Sequence, residues 1–257
     1  MTSSGVRRRV LLLGGTGEGR VIASRLAGSA DLEVVTSLAG RVRDPRWPEG
    51  EVRIGGFGGV EGLSEWLSDN DIRAVLDATH PFAARITKNA FEACVANSVP
   101  YAMYRRPPWR EQPGDTWLPV RDLDHAADLM PRVGSHAFLT IGRQGVAAFD
   151  RVKDVSFLVR SIDPPSGTLP PHSQLLLARG PFDVEAEVDL MRAHGIDVVI
   201  TKNSGGEQTY AKIAAARQLS IPVIVVERPP TPEAVEAFDT EAGAVDWLTA
   251  FGRGTAP

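Results

Sequence analysis

Between Val10 and Arg20 the chain reads VLLLGGTGEGR, an apolar run that ends in Gly14, Gly15, Gly17 and Gly19. Glycines packed this closely after a strand serve either a turn that needs positive φ or a ligand that must come close to the backbone. Strand, glycine loop and helix, in that order, form the setting of a phosphate cradle. Unpaired N–H groups and the positive end of the helix then face a pyrophosphate. The spacing departs from G-x-G-x-x-G, because Gly15, Gly17 and Gly19 lie two apart, and no Lys-Ser/Thr follows to make a P-loop. We read Gly15, Thr16, Gly17, Glu18 and Gly19 as the contacts to a dinucleotide's phosphates.

The end of the second strand should then meet the ribose. An acid there favours NAD, whereas a small polar or basic group accommodates the 2′-phosphate of NADP. Ser37 follows Gly19 by 18 positions and precedes Arg41 and Arg43, while Asp31 and Glu33 fall where that strand begins. NADPH is therefore expected over NADH, selected by Ser37 and Arg41. Further on, DATHPFA places Thr79, His80, Pro81 and Phe82 at another strand end. They either line the nicotinamide side of a cleft or simply start a helix around the proline. His80 is a candidate acid or base.

In the second half, TKNSGGEQTYAKI contains Ser204 and Glu207 in capping-box spacing. A cap leaves Lys202, Asn203 and Gly205 unexplained. Together with Ser204 they suit a carboxylate held by a helix N-terminus and an ammonium. Lys202 either clamps that carboxylate or, with its pKa lowered by burial, supplies a proton. Arg143, Arg160 and Arg179 leave three separate strands, and three arginines on one rim suggest a polyanionic substrate.

These residues need elements to position them. Apolar strand-like runs alternate with helical patterns along the whole chain, which predicts parallel sheets. Runs at 10–13, 32–37, 51–56, 74–79 and 100–105 are followed by RRPPWREQPGDTWLP, a proline-rich stretch read as a linker. Five more follow at 136–142, 155–161, 173–180, 197–203 and 221–228. The fold expected is α/β: two Rossmann-like domains, each an open, mostly parallel sheet flanked by helices, over residues 1–108 and 109–257. Ligands of such sheets sit at the carboxyl ends of the strands, here in a cleft between domains.

Composition sets the outer limits. A formal net charge of −4 over 257 residues favours neither nucleic acid nor an anionic membrane. The single cysteine, Cys94, excludes an internal disulfide and suits a reducing compartment. The basic start runs into glycines after only four apolar residues, too short for a signal peptide, and no run approaches a membrane span. A cytoplasmic protein is expected. No Cys/His cluster suggests a metal site.

LLLGGTGEGR, DATHPFA and ITKNSGG with KIAAARQLSIPVIVVERP together resemble the precorrin-6A reductase family of cobalamin biosynthesis, over roughly residues 8–230. The resemblance implies an NADPH-dependent oxidoreductase that reduces one double bond of a tetrapyrrole macrocycle, with hydride to C19, giving precorrin-6B. It also implies ligands held between two Rossmann-like domains. A substrate rich in acetate and propionate groups agrees with the arginines read independently. Two other readings use parts of the same pattern: an NADP(H) sensor without chemistry, and a two-domain glycosyltransferase. A short-chain dehydrogenase is a weaker reading, because neither Tyr104 nor Tyr210 is followed by the lysine of Tyr-x-x-x-Lys.

Overall fold

The computed structural model describes residues 7–40, 43–233 and 235–253. Two compact units result: residues up to Arg106 together with those from Pro229 onward, and Pro107–Arg228.

Unit 1 opens with β1 (Arg8–Leu13), α1 (Gly17–Leu26), β2 (Leu32–Leu38), β3 (Glu51–Ile54) and α2 (Gly59–Asp69). It continues with β4 (Ile72–Asp77), α3 (Ala84–Ala96) and β5 (Tyr101–Tyr104). Alternation along β1 divides its side chains between two cores, Val10 and Leu12 on one face of the sheet and Leu11 and Leu13 on the other. That is why β1 is apolar throughout: a central parallel strand is covered on both sides. On α1 the buried positions are Gly19, Ile22, Ala23 and Leu26, one face at helical spacing.

Unit 2 contains β6 (Trp117–Val120), α4 (Leu123–Leu129), β7 (His136–Leu139), β8 (Ser156–Ser161) and β9 (His172–Leu177). It is completed by α5 (Val184–Ala193), β10 (Val198–Lys202), α6 (Ala211–Gln218) and β11 (Val223–Val226). Its core gathers Phe138, Leu158, Met191, Val199 and Ile213. The last two elements, β12 (Glu236–Phe238) and α7 (Glu241–Arg253), return to unit 1, where β12 pairs with β5 and Ala244 and Leu248 of α7 enter the core beside Ile22.

Both sheets are six-stranded, with orders β12-β5-β4-β1-β2-β3 and β6-β11-β10-β7-β8-β9. Every adjacent pair is parallel. The switch points lie between β1 and β4 and between β7 and β10, so ligand sites are expected at the carboxyl ends of those strands. The two orders correspond strand for strand, except that each outermost strand comes from the far half of the sequence. β6 follows β5 yet pairs with β11, and β12 follows β11 yet pairs with β5.

This corrects two expectations. The stretch 105–119 is not only a linker, because its end forms β6. The residues after Pro229 do not belong with the second half, because β5 offers an open edge whose backbone groups need a partner. Among the described residues, no helix is long and apolar enough to cross a membrane.

Candidate functional site

In unit 1 the chain needs only three residues to pass from β1 into α1. Gly14 donates its N–H to the Ser37 carbonyl at 2.9 Å, which ties the loop to β2. Gly15 has φ +110°, a conformation that suits glycine alone, and a Cβ there would meet nothing within 4 Å. Thr16 caps α1: its hydroxyl accepts from Gly19 N–H at 3.0 Å and donates to the Ala78 carbonyl at 2.9 Å. Gly19 is held bare by packing, since a Cβ would press within 3.2 Å of that hydroxyl. Glu18, in the first helical turn, forms a two-point ion pair with Arg106 at 2.8 and 2.9 Å. The five positions read as phosphate contacts thus divide. Gly15 lies in the open loop and Gly17 begins α1, while the side chains of Thr16 and Glu18 are engaged by the fold.

At the end of β2, Ser37 is buried, and its hydroxyl accepts from Arg53 Nη1 at 3.0 Å. Arg53 also donates to the carbonyls of Gly55 and Gly56, and its guanidinium lies 3.6 Å from the centre of the Phe57 ring. Burial lowers its pKa, although a guanidinium stays charged. Arg41, the other expected selector, lies outside the described residues. Sequence reasoning missed Arg53; the available signal was a lone charge at the end of a strand, just before GGFGG.

The DATHPFA turn is organised by Asp77, 1% exposed, at the end of β4. Its carboxylate accepts from Thr79 N–H (2.9 Å), Thr79 Oγ1 (2.6 Å), Thr87 Oγ1 (2.7 Å) and the Tyr101 hydroxyl (3.0 Å). Burial, then the Asp77 charge, pushes the Tyr101 phenol far up, and the same two causes push the Cys94 thiol up to about 12. His80 Nδ1 accepts from Phe82 N–H at 3.2 Å, so a neutral His80 carries its proton on Nε2. Pro81 is buried, and α3 starts at Ala84 rather than at the proline. Thr79 and Pro81 therefore shape the turn, and His80 and Phe82 are the side chains it presents.

Unit 2 departs further from expectation. Arg160 does not reach the rim. It is 6% exposed and forms a two-point ion pair with Glu187 of α5, itself 3% exposed. Its guanidinium lies 3.7 Å from the centre of the Phe182 ring and 4.7 Å from that of Phe138. On the last turn of a doubly covered strand, the side chain points into the helix layer, where only a carboxylate makes it tolerable.

Ser204 and Glu207, in capping-box spacing, do not start the helix. α6 begins at Ala211, and its N-cap, Tyr210, provides no side-chain cap. The loop of residues 203–210 is filled by the chain itself. The Asn203 amide accepts from Trp109 N–H (2.8 Å) and donates to the Trp109 carbonyl (3.1 Å), and Trp109 Nε1 donates to Gly206 O (2.8 Å). Arg228 donates to the carbonyls of Asn203 and Ser204. Gly205, at φ +68°, is bare because a Cβ would collide with the Pro107 carbonyl. Of the expected substrate contacts, Asn203 is engaged through its amide, Ser204 through its carbonyl and Gly205 by packing. Lys202 ends β10 half-buried, and burial lowers its pKa. Arg143 follows β7 on the other side of the switch point, and Arg179 follows β9; both are partly exposed. Lys212, unremarked in the sequence, is buried, with Nζ donating to Thr209 O at 2.6 Å and lying 4.9 Å from the Trp109 ring centre.

Comparison with known proteins agrees with this architecture. Residues 9–249 match the family "Precorrin-6x reductase CbiJ/CobK". The chain is 55% identical to the precorrin-6A reductase of Rhodococcus erythropolis over 95% of this chain and 99% of that one. It is 48% identical to the precorrin-6A reductase of Mycobacterium tuberculosis (strain ATCC 25618 / H37Rv), over 93% and 97%. A solved structure, "CobK precorrin-6A reductase", superposes with a TM-score of 0.88 at 41% identity, covering 97% of this chain and 98% of that one. With both Rossmann-like sheets and nearly its full length matched, the chain belongs to the precorrin-6x reductase family, oxidoreductases that act on a C=C bond of the macrocycle in cobalamin biosynthesis.

Proposed function

We propose that the chain reduces precorrin-6A to precorrin-6B with NADPH as hydride donor. The observation that carries the choice of a phosphate-bearing cofactor is the loop after β1. Gly15 has open space above a conformation that only glycine adopts readily, at the N-terminus of α1 and beside the switch point. NADPH, when bound, supplies the hydride, which we place at C19 of the ring. The chain's own residues bind and orient. Gly15 and Gly17 admit the pyrophosphate, Asp77 fixes the turn that carries His80 and Phe82, and His80 presents Nε2–H as a candidate proton donor toward the adjacent ring carbon. In unit 2, Lys202, Arg143 and Arg179 are the cations assigned to the carboxylates of the tetrapyrrole.

A metal-free substrate is favoured over a cobalt-containing one. Precorrin-6A reductases are 41–55% identical to the chain, whereas the cobalt-precorrin-6A reductase of Methanothermobacter thermautotrophicus is 31% identical. We place the reaction in the cytoplasm, in keeping with a lone buried cysteine. The test is to incubate the protein with NADPH and precorrin-6A and follow both spectra. Nicotinamide oxidation coupled to a shift of the macrocycle spectrum is expected, and NADPH deuterated at C4 should leave deuterium at C19. NADPH binding without oxidation would point to the sensor instead, and no NADPH binding to the glycosyltransferase, which the family match already disfavours.

A further inference from the structure

Two arginines in the strands of this sheet lack an ion pair among the described residues: Arg8 at the amino end of β1, which donates to the Phe251 carbonyl at 2.7 Å, and Arg53 near the carboxyl end of β3. Arg9 is paired with Glu33 and Glu51, Arg73 with Asp71, and Arg106 with Glu18. Among the described residues, no carboxylate lies within ion-pair distance of Arg53. A half-buried guanidinium without a counterion is costly to maintain and is a natural receptor for an external anion.

Its geometry is fixed in advance. Nη1 donates to Ser37 Oγ and Gly55 O, both at 3.0 Å, and Nη2 to Gly56 O at 3.1 Å. Phe57 supports the plane, and Trp66 lies 5.4 Å away. Three of the five N–H groups are thereby used, which leaves Nε–H and one Nη2–H. Ser37 accepts from Arg53, so its own hydroxyl hydrogen remains to be donated. Position agrees with charge. Leu13, Ser37 and Arg53 are register partners in one row across β1, β2 and β3. With strands roughly 4.8 Å apart, Arg53 sits about 10 Å along the rim from the start of the glycine loop. That is the ribose side of a dinucleotide whose pyrophosphate lies over the loop.

We propose that Arg53, together with Ser37, receives the 2′-phosphate of NADPH and sets the preference for NADPH over NADH. This rests on the reading that unit 1 binds the nicotinamide cofactor. The role foreseen for the residues after β2 thus falls to the end of β3.

The test uses the full chain with Arg53→Met, which keeps a stem over Phe57, and Arg53→Lys, which keeps the charge but loses the planar fork. Dissociation constants are measured calorimetrically for NADPH, NADH, 2′,5′-ADP and 5′-ADP. Arg53→Met should weaken NADPH and 2′,5′-ADP by about 10- to 150-fold, the range for one lost charge-assisted contact, and leave NADH and 5′-ADP nearly unchanged. Arg53→Lys should recover part of the loss. Unchanged NADH affinity doubles as the folding control. Equal losses for both cofactors, or a retained preference for NADPH in Arg53→Met, would overturn the assignment of Arg53 alone. A wild-type protein that binds none of the four nucleotides would overturn the underlying reading.

Discussion

After β1 the chain takes three residues to enter α1; after β10, which flanks the switch point of unit 2 where β4 stands in unit 1, it takes eight to enter α6. The short loop leaves open space over Gly15, whereas the long one is packed with the chain's own groups: the Trp109 backbone on Asn203, the Pro107 carbonyl against Gly205, and the Arg228 guanidinium on two carbonyls. Both loops are glycine-rich and both sheets have the same strand order. Glycine density beside a switch point therefore does not by itself leave a loop open. One loop leaves space above Gly15, and the other receives the segment by which the chain enters the unit. The cations follow the same division, with Arg53 left without a carboxylate and Arg160 enclosed with Glu187.

The contrast breaks first at that enclosed pair. Arg160→Ala should destabilise the protein by about 3–5 kcal/mol, because it strands a buried carboxylate. The double variant Arg160→Met, Glu187→Leu should recover most of the loss. Denaturant unfolding followed by circular dichroism measures both. If Arg160 instead served the substrate, the single variant would retain its stability and lose only affinity for the macrocycle.

Gly205→Ala and Gly15→Ala sharpen the comparison at the loops themselves. The first meets the Pro107 carbonyl as well as a left-handed backbone, so a loss of about 2–4 kcal/mol in stability is expected. The second meets open space and should cost only the backbone strain, about 1–2 kcal/mol, while NADPH affinity falls markedly. Similar stability losses with no effect on NADPH would mean that both loops are merely turns.

Much of this was legible in residue types. Runs of four to six mostly apolar residues at 10–13, 32–37 and 74–79 mark central parallel strands, because no other element buries both faces so completely. The tight turn from β1 into α1 was legible from glycine density alone. The exchange of outer strands was not, since β6 and β12 are short, β6 carries Pro119, and both lie at sheet edges where one-sided burial weakens the apolar signal. Nor was the fate of Arg160 or Asn203. Their partners, Glu187 and Trp109, stand 27 and 94 positions away, and long-range pairing leaves no local spacing to read. Arg53 was concealed differently, in a strand that is exposed at both ends and looks polar for ordinary reasons.

Lys202 tests the last part of the contrast, whether the rim of unit 2 binds the substrate without taking part in the chemistry. It ends β10 beside the switch point, next to a loop that no longer offers a helix N-terminus at Ser204. Without that positive end, burial is the sole cause that lowers its pKa. A substrate carboxylate would counter the lowering by favouring the ammonium, so a clamp is the role the surroundings support best. Lys202→Ala should then raise KM for precorrin-6A by about tenfold, equivalent to roughly 1.4 kcal/mol, with kcat and NADPH affinity little changed. The sign of the pH effect follows from the ammonium, which exists below the pKa. Wild-type KM should climb as pH rises through a value lower than that of an ordinary lysine, and the alanine variant should lack this alkaline limb. Were Lys202 the proton donor, the limb would appear in kcat, and the variant would lose turnover at saturating substrate rather than affinity.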